Sequence, residues 1–172
     1  VLNGTDSEAG TFNPEGSMTR AQFAKVVVEL LGLPTEGLEM PFEDVVGTAD
    51  DWAKDYIAAA YNAGIVNGTN SAGTRFAPSN SVSFDQSAAM LSRALGLVEP
   101  KAYGEDVTTV LTELDMLDAL EDFVSGEAEM NRAAVAALAD NMIGTYVTEA
   151  TLDEVAPEGV ITGEIPSGII LV

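Results

Sequence analysis

Two stretches of this sequence place a cation or a flat ring where it can act on a small molecule. In Thr19-Arg20-Ala21-Gln22 a hydroxyl residue stands three positions before a glutamine. That is the spacing of a capping box, in which the hydroxyl accepts from a free backbone N–H and the glutamine reaches back. With Thr19 as N-cap, Arg20 takes the first helical position, beside N–H groups without intrahelical partners and at the positive end of the dipole. A planar cation with several donors in that place suits an anion, and a carboxylate in particular. Arg20 reads equally as a solvated first-turn residue or as half of a surface ion pair. Trp52 offers a sugar ring a flat apolar face, or else belongs to the core. The turns Asn3-Gly4-Thr5 and Asn67-Gly68-Thr69 serve backbone shape first and polar contact with a sugar second. Arg132, in Met130-Asn131-Arg132-Ala133, repeats Arg20. Asp44 reads as a cap or buttress for a turn and not as a ligand contact.

Much other chemistry is excluded. The chain has no Cys and no His, which removes thiol nucleophiles, the usual zinc sites, imidazole acid–base catalysis and the Ser-His-Asp arrangement. Glycoside hydrolysis needs only two carboxylates, but Asp and Glu are spread over the whole chain and no pair stands out. The expectation is therefore no enzyme. With 28 Asp and Glu against 7 Lys and Arg, the net charge is −21, so a nucleic acid is a poor partner. No cofactor is expected; calcium is conceivable from the acidity, but the acidic stretches lack EF-hand spacing. No apolar run reaches the length of a membrane span, and the N-terminus lacks the basic and apolar regions of a signal peptide. If the protein is exported, its signal lies outside these residues. Absence of Cys fits an exported bacterial protein that does without disulfides.

The elements that position these residues are repeated. Laying residues 1–33 over 65–97 without a gap aligns Asn3-Gly4-Thr5 with Asn67-Gly68-Thr69. It also aligns Phe12 and Pro14 with Phe76 and Pro78, and Leu31-Gly32-Leu33 with Leu95-Gly96-Leu97. A turn, an aromatic-x-Pro anchor and a helix end recur in fixed order, so the chain contains an internal repeat. Both copies open a helix with a capping box, at Thr19 and at Ser83, and both stop it at glycine, Gly32 and Gly96. Phe23, Val26, Val27, Leu30 and Leu31 in one copy, and Ala88, Leu91 and Leu95 in the other, follow at helical spacing. A further helix before the second copy has Asp50 or Asp51 as its cap and an apolar face of Trp52, Tyr56, Ile57 and Ala60. The loop over 66–80 is rich in Gly, Asn, Ser and Thr and should fold over the helix pair with Phe76 as a plug.

A third, eroded copy appears when Met130-Asn131-Arg132-Ala133 is laid on Met18-Thr19-Arg20-Ala21, which brings Ile143-Gly144 onto Leu31-Gly32. Its first helix is expected at about 108–120, and its loop, 121–129, is shorter and lacks Phe-x-Pro. The expected organisation is a first repeat over 1–40 without its first helix, a second over 41–100, a divergent third over 101–145, and a β-rich tail or start of a further domain over 146–172. Strand character in the tail comes from Gly159-Val160-Ile161-Thr162 and Gly168-Ile169-Ile170-Leu171-Val172. Val1 enters in mid-repeat, as though the segment were cut from something longer.

The second unit resembles the S-layer-homology repeat in Pro41-Phe42-Glu43-Asp44-Val45, Trp52-Ala53, Tyr56-Ile57, Ala63-Gly64-Ile65-Val66-Asn67-Gly68, Phe76-Ala77-Pro78 and Arg93-Ala94-Leu95-Gly96-Leu97. The first unit carries Phe12-Asn13-Pro14 followed by Met18-Thr19-Arg20-Ala21-Gln22. The resemblance implies a mainly α fold of three helix-loop-helix repeats in a pseudo-threefold bundle, with grooves between neighbours, to which the C-terminal β-like segment is added. It implies that the grooves bind a secondary cell-wall polysaccharide, often through a pyruvylated sugar, and so anchor a secreted protein in the cell wall or S-layer. Arg20, Trp52, Arg132, Asn3, Gly4 and Thr19 are the residues expected at the polymer. Phe84 replaces the motif arginine in the second repeat, so the groove that depends on that position loses its cation. That departure keeps an alternative open: a structural S-layer or filament subunit whose repeats pack against copies of itself and whose β tail pairs with a neighbour.

Overall fold

A computed structural model describes residues 12–118, 120, 122 and 128–146. They form α1 (Arg20–Leu31), a 3-10 turn (Asp51–Ala53) leading into α2 (Lys54–Asn62), α3 (Phe84–Ala94), α4 (Glu105–Glu113) and α5 (Arg132–Tyr146). The fold is mainly α, and among the described residues β pairing is confined to isolated bridges. The strand expectation at the C-terminus lies outside the described residues.

Capping chemistry places the helices as expected. The Thr19 hydroxyl accepts from the Gln22 amide at 3.2 Å while the Thr19 amide donates to Gln22 Oε1 at 3.0 Å, and Ser83 with Gln86 repeats the arrangement. Asn131 caps α5, its Oδ1 accepting from the Ala134 amide at 2.8 Å. At the other end of α1, Gly32 turns left-handed (φ 61°, ψ 35°) and the Leu33 amide closes back on the Val28 carbonyl. Gly96 and Leu97 end α3 in the same way.

The structure departs from three local expectations. Neither Asp50 nor Asp51 caps α2; the Asp51 carboxylate instead accepts from the Gly47 amide at 2.9 Å, and the helix begins through the 3-10 turn. The helix expected at about 108–120 runs Glu105–Glu113: Gly104 (φ 62°) opens it, two carboxylates favour its first turn, and Asp115 (φ 56°) ends it. Gly144 does not stop α5, which continues to Tyr146. The glycine stop is usually sealed by an apolar contact from the residue beyond it. Leu33 and Leu97 occupy that position after Gly32 and Gly96, whereas Thr145 follows Gly144.

One core joins these helices. α1 packs on α2 and α3, and α3 also packs on α4 and α5. Phe23, Phe42, Phe76 and Phe84 are fully buried in it, each contributing about 1.5–3 kcal/mol by the usual transfer figure. At its centre the segments that precede α1, α3 and α5 pair in a closed circuit: Thr19 bridges Ser81, Ser83 bridges Glu129, and Asn131 bridges Ser17. The amides of Arg20, Phe84 and Arg132 follow the same order, donating to the carbonyls of Asn80, Ala128 and Gly16 at 2.9 Å each. Met18, Val82 and Met130, the middle residues of the three segments, are completely buried. Each helix start is thus fixed on the loop of another segment, which determines what its first side chain meets.

Candidate functional site: a cationic cleft at the start of α1

Arg20 opens α1 and leans onto the loop that ends in Phe76-Ala77-Pro78. Its Nε donates to the Phe76 carbonyl at 2.9 Å, and its guanidinium lies 4.6 Å from the centre of the Phe76 ring. The loop can receive it because Asp44 holds the backbone in place. The Asp44 carboxylate accepts from the amides of Phe76 and Ala77 at 2.9 and 2.8 Å, which steadies Ala77 in the left-handed region (φ 57°), a conformation that costs a non-glycine residue about 1–2 kcal/mol. Burial pushes the Asp44 carboxyl up, but the two amides and the nearby Arg75 guanidinium outweigh it and hold the carboxyl below its ordinary range. Asp44 is thus the turn buttress expected from its position.

The face of Arg20 away from Phe76 contributes to a cleft of about 400 Å³. Asn67, Gly68 and Thr69 form one wall; Gln86, Ala89, Met90 and Arg93 of α3 form another; and Tyr103, on the turn before α4, closes it. Gly68 must be glycine here, since a Cβ would meet the Gly73 backbone at 2.7 Å. The Asn-Gly-Thr turn therefore serves backbone shape and also presents polar groups to the cleft.

Arg20 and Arg93 set its electrostatics. Arg93 donates from Nη1 to the Ile65 carbonyl at 3.2 Å and from Nη2 to the Ala102 carbonyl at 2.7 Å, and its Nε is buried without a hydrogen-bond partner. Among the described residues the ion pairs are Lys25–Glu29, Lys54–Asp51 and Arg75–Asp44, so neither cleft arginine has a carboxylate within 4.0 Å. Burial lowers the Arg20 pKa to about 10, against which Tyr103 and then Asp44 act. Burial likewise lowers that of Arg93, with Tyr103 opposing. Both stay charged at neutral pH. Two guanidinium groups without a carboxylate within 4.0 Å among the described residues, in a chain of net charge −21, make a locally cationic cleft that the overall charge conceals.

The other residues singled out from the sequence are distributed as follows. Arg132 repeats the geometry of Arg20, with Nε donating to the Phe12 carbonyl at 2.9 Å and the guanidinium 4.8 Å from the centre of the Phe12 ring. Thr19 spends its hydroxyl on the helix cap. Trp52 does not line the cleft; it sits on the 3-10 turn before α2 with 49% of its surface exposed. Asn3 and Gly4 lie outside the described residues. Two cleft residues escape sequence reasoning: Arg93, which looks like part of a helix end, and Tyr103, which lies between repeats. One signal was available for Arg93, because the gapless repeat places Glu29 in its position in the first copy.

Residues 5–24 and 41–86 match the S-layer homology domain. An endoglucanase of Bacillus sp. (strain KSM-635) is 40% identical over 99 residues, which is 58% of this chain and 10% of that protein. S-layer protein EA1 of Bacillus anthracis is 34% identical over 112 residues, 64% of this chain and 12% of that protein. Cell surface glycoprotein 1 of Acetivibrio thermocellus is 35% identical over 97 residues, 50% of this chain and 4% of that protein. The chain thus spans between 4% and 12% of the length of these three relatives.

Proposed function

We infer from the S-layer homology domain that this chain carries that it is an extracellular, cell-wall-associated segment that anchors its protein non-covalently, by binding an acidic secondary cell-wall polymer in the cleft at Arg20. The carrying observation is the pair of Arg20, buried, and Arg93, partly buried, lining one cleft without a carboxylate within 4.0 Å among the described residues. A sugar carboxylate, such as a pyruvyl ketal, is the anion that best fits. It is planar, it pairs with a guanidinium through two oxygens, and its hydroxyl-bearing ring would find the Asn67–Thr69 wall beside it. The relatives support an anchoring role without catalysis. An endoglucanase, an S-layer protein and a surface glycoprotein share this short stretch, so the stretch does not go with any one catalysed reaction.

In this reading the repeats are the units 1–40, 41–100 and 101–145, and the circuit of three bridged helix starts supports an arrangement about a pseudo-threefold axis. Arg132 on Phe12 marks a second place of the same construction. A packing-module reading, with the repeats holding copies of the chain in a lattice, has one observation in its favour: Phe84, fully buried, stands where the other two helices begin with arginine.

Sedimentation with purified cell-wall sacculi tests the anchor. The protein should pellet with native sacculi, remain in solution with sacculi stripped of pyruvyl ketals by mild acid, and lose pelleting on Arg20→Gln with its helical circular dichroism intact. Equal pelleting with native and stripped walls would remove the carboxylate from the mechanism. Lattices formed without any wall binding would favour the packing reading.

A further inference from the structure

We propose that Tyr103 is the aromatic platform on which the sugar ring lies in this cleft, with Arg93 and Asn67 as the residues that position it; this rests on the polymer-binding reading above. Trp52, the aromatic that the sequence offers for that part, does not line the cleft, whereas Tyr103 lines it together with Arg20 and keeps 44% of its surface exposed.

The turn that carries Tyr103 is fastened to the cleft walls on both sides. Within it the Ala102 amide donates to the Glu99 carbonyl at 3.0 Å, and Gly104 (φ 62°) leads directly into α4. From α3, Arg93 Nη2 donates to the Ala102 carbonyl at 2.7 Å, and from the Asn-Gly-Thr wall, Asn67 Nδ2 donates to the Pro100 carbonyl at 3.0 Å. Arg93 Nη1 also reaches the Ile65 carbonyl, two residues before Asn67, so the same guanidinium ties both walls together. Carbonyls 100 and 102 are therefore held from two directions, and Tyr103 follows the second of them. A tyrosine on a turn fixed in this way gives the C–H face of a pyranose an apolar surface at the cost of only two side-chain torsions. Arg20 stands in the same cleft for the carboxylate. Aromatic face, cation and polar turn form the usual composition of a specific small-ligand site. The occupant is accordingly a carboxylated pyranose held by ring and charge together, and not a bare anion.

The test is solution NMR and calorimetry with the methyl glycoside of a pyruvyl-ketal N-acetylhexosamine as probe. On binding to the parent protein, the pyranose C–H protons should move upfield under the Tyr103 ring current. Tyr103→Leu should abolish that shift and weaken binding about tenfold, the equivalent of about 1.4 kcal/mol, while Tyr103→Phe and Tyr103→Trp retain both. Asn67→Ala should reduce the upfield shift while the need for Arg20 persists, a pattern that loss of general stability would not produce. An unchanged dissociation constant and unchanged proton shifts in Tyr103→Leu would overturn the platform and leave the anchor standing. If the parent protein binds neither probe nor sacculi, the anchor falls and the platform with it.

Discussion

Asp44→Ala should be among the most costly single changes at an exposed turn of this protein. Its carboxylate receives two backbone amides, Phe76 at 2.9 Å and Ala77 at 2.8 Å, and a hydrogen bond to a charged group contributes about 1.5–3 kcal/mol. Water can reach part of this site, so the lower end applies, about 3 kcal/mol for the pair. Relaxation of Ala77 from its left-handed conformation returns about 1 kcal/mol. The expected net loss is about 2 kcal/mol, a fall in Tm of about 4–8 °C for a chain of this size. Asp44→Asn keeps one acceptor and should lose about half as much. The sign of the pH dependence follows from the depressed pKa of Asp44 in the folded state. Its stabilising contribution is fully present above the unfolded carboxylate pKa of about 3.9 and is lost as pH falls through the lower, folded pKa. Thermal melts of parent and variant followed by circular dichroism between about pH 7 and pH 2 should therefore converge at the acid end. A Tm difference under about 2 °C at neutral pH, or a gap that does not narrow on acidification, would refute the assignment of Asp44 as the anchor of this loop.

Arg132→Ala should cost about 2–3 kcal/mol in urea denaturation, since it removes both the bond to the Phe12 carbonyl and the cation over the ring. Arg132→Lys should not restore it, because an ammonium cannot stack and donate from one plane. Ala77→Val should destabilise by about 1–3 kcal/mol, because a β-branched side chain is poorly tolerated at φ 57°; a melting curve equal to that of the parent would show that the turn can change conformation.

The helices were legible where capping and stop signals are local. Thr19 with Gln22 and Ser83 with Gln86 specify their helix starts within four residues, and Gly32 and Gly96 their ends, so α1 and α3 follow from the chain alone. Signals that need a distant partner were not legible in this way. The Asp51 carboxylate is satisfied by Gly47 instead of by the start of α2, and the fate of Gly144 depends on whether the residue beyond it can be buried. The site divides along the same line. Arg20 announces itself through its capping box, and the Asn-Gly-Thr turn through its repetition. Tyr103 reaches the cleft only because side chains 10 and 36 residues earlier fasten the turn that carries it, a relation with no periodicity to reveal it. Trp52 drew notice by its type, yet it sits on the 3-10 turn and does not line the cleft.

The three bridged helix starts show how the motif arginine is held at two of them. Each start faces the loop of another segment, and an aromatic ring occupies each of the three positions. Arg20 meets Phe76, Arg132 meets Phe12, and at the third start the ring is Phe84 itself. The loop that Phe84 faces, ending at Ala128, is the one without Phe-x-Pro. A guanidinium buried at a helix start needs a carbonyl and a ring to receive it, since desolvating it without them would cost several kcal/mol. Phe84 occupies the third start, fully buried, without a charge. At the two starts that keep the arginine, the opposite loop supplies both a carbonyl and a ring for it. Packing then decides where a cation can stand. The Phe-x-Pro loop permits the arginine, Asp44 holds the loop that receives Arg20, and the cationic cleft is what that clamp leaves open on its outer side.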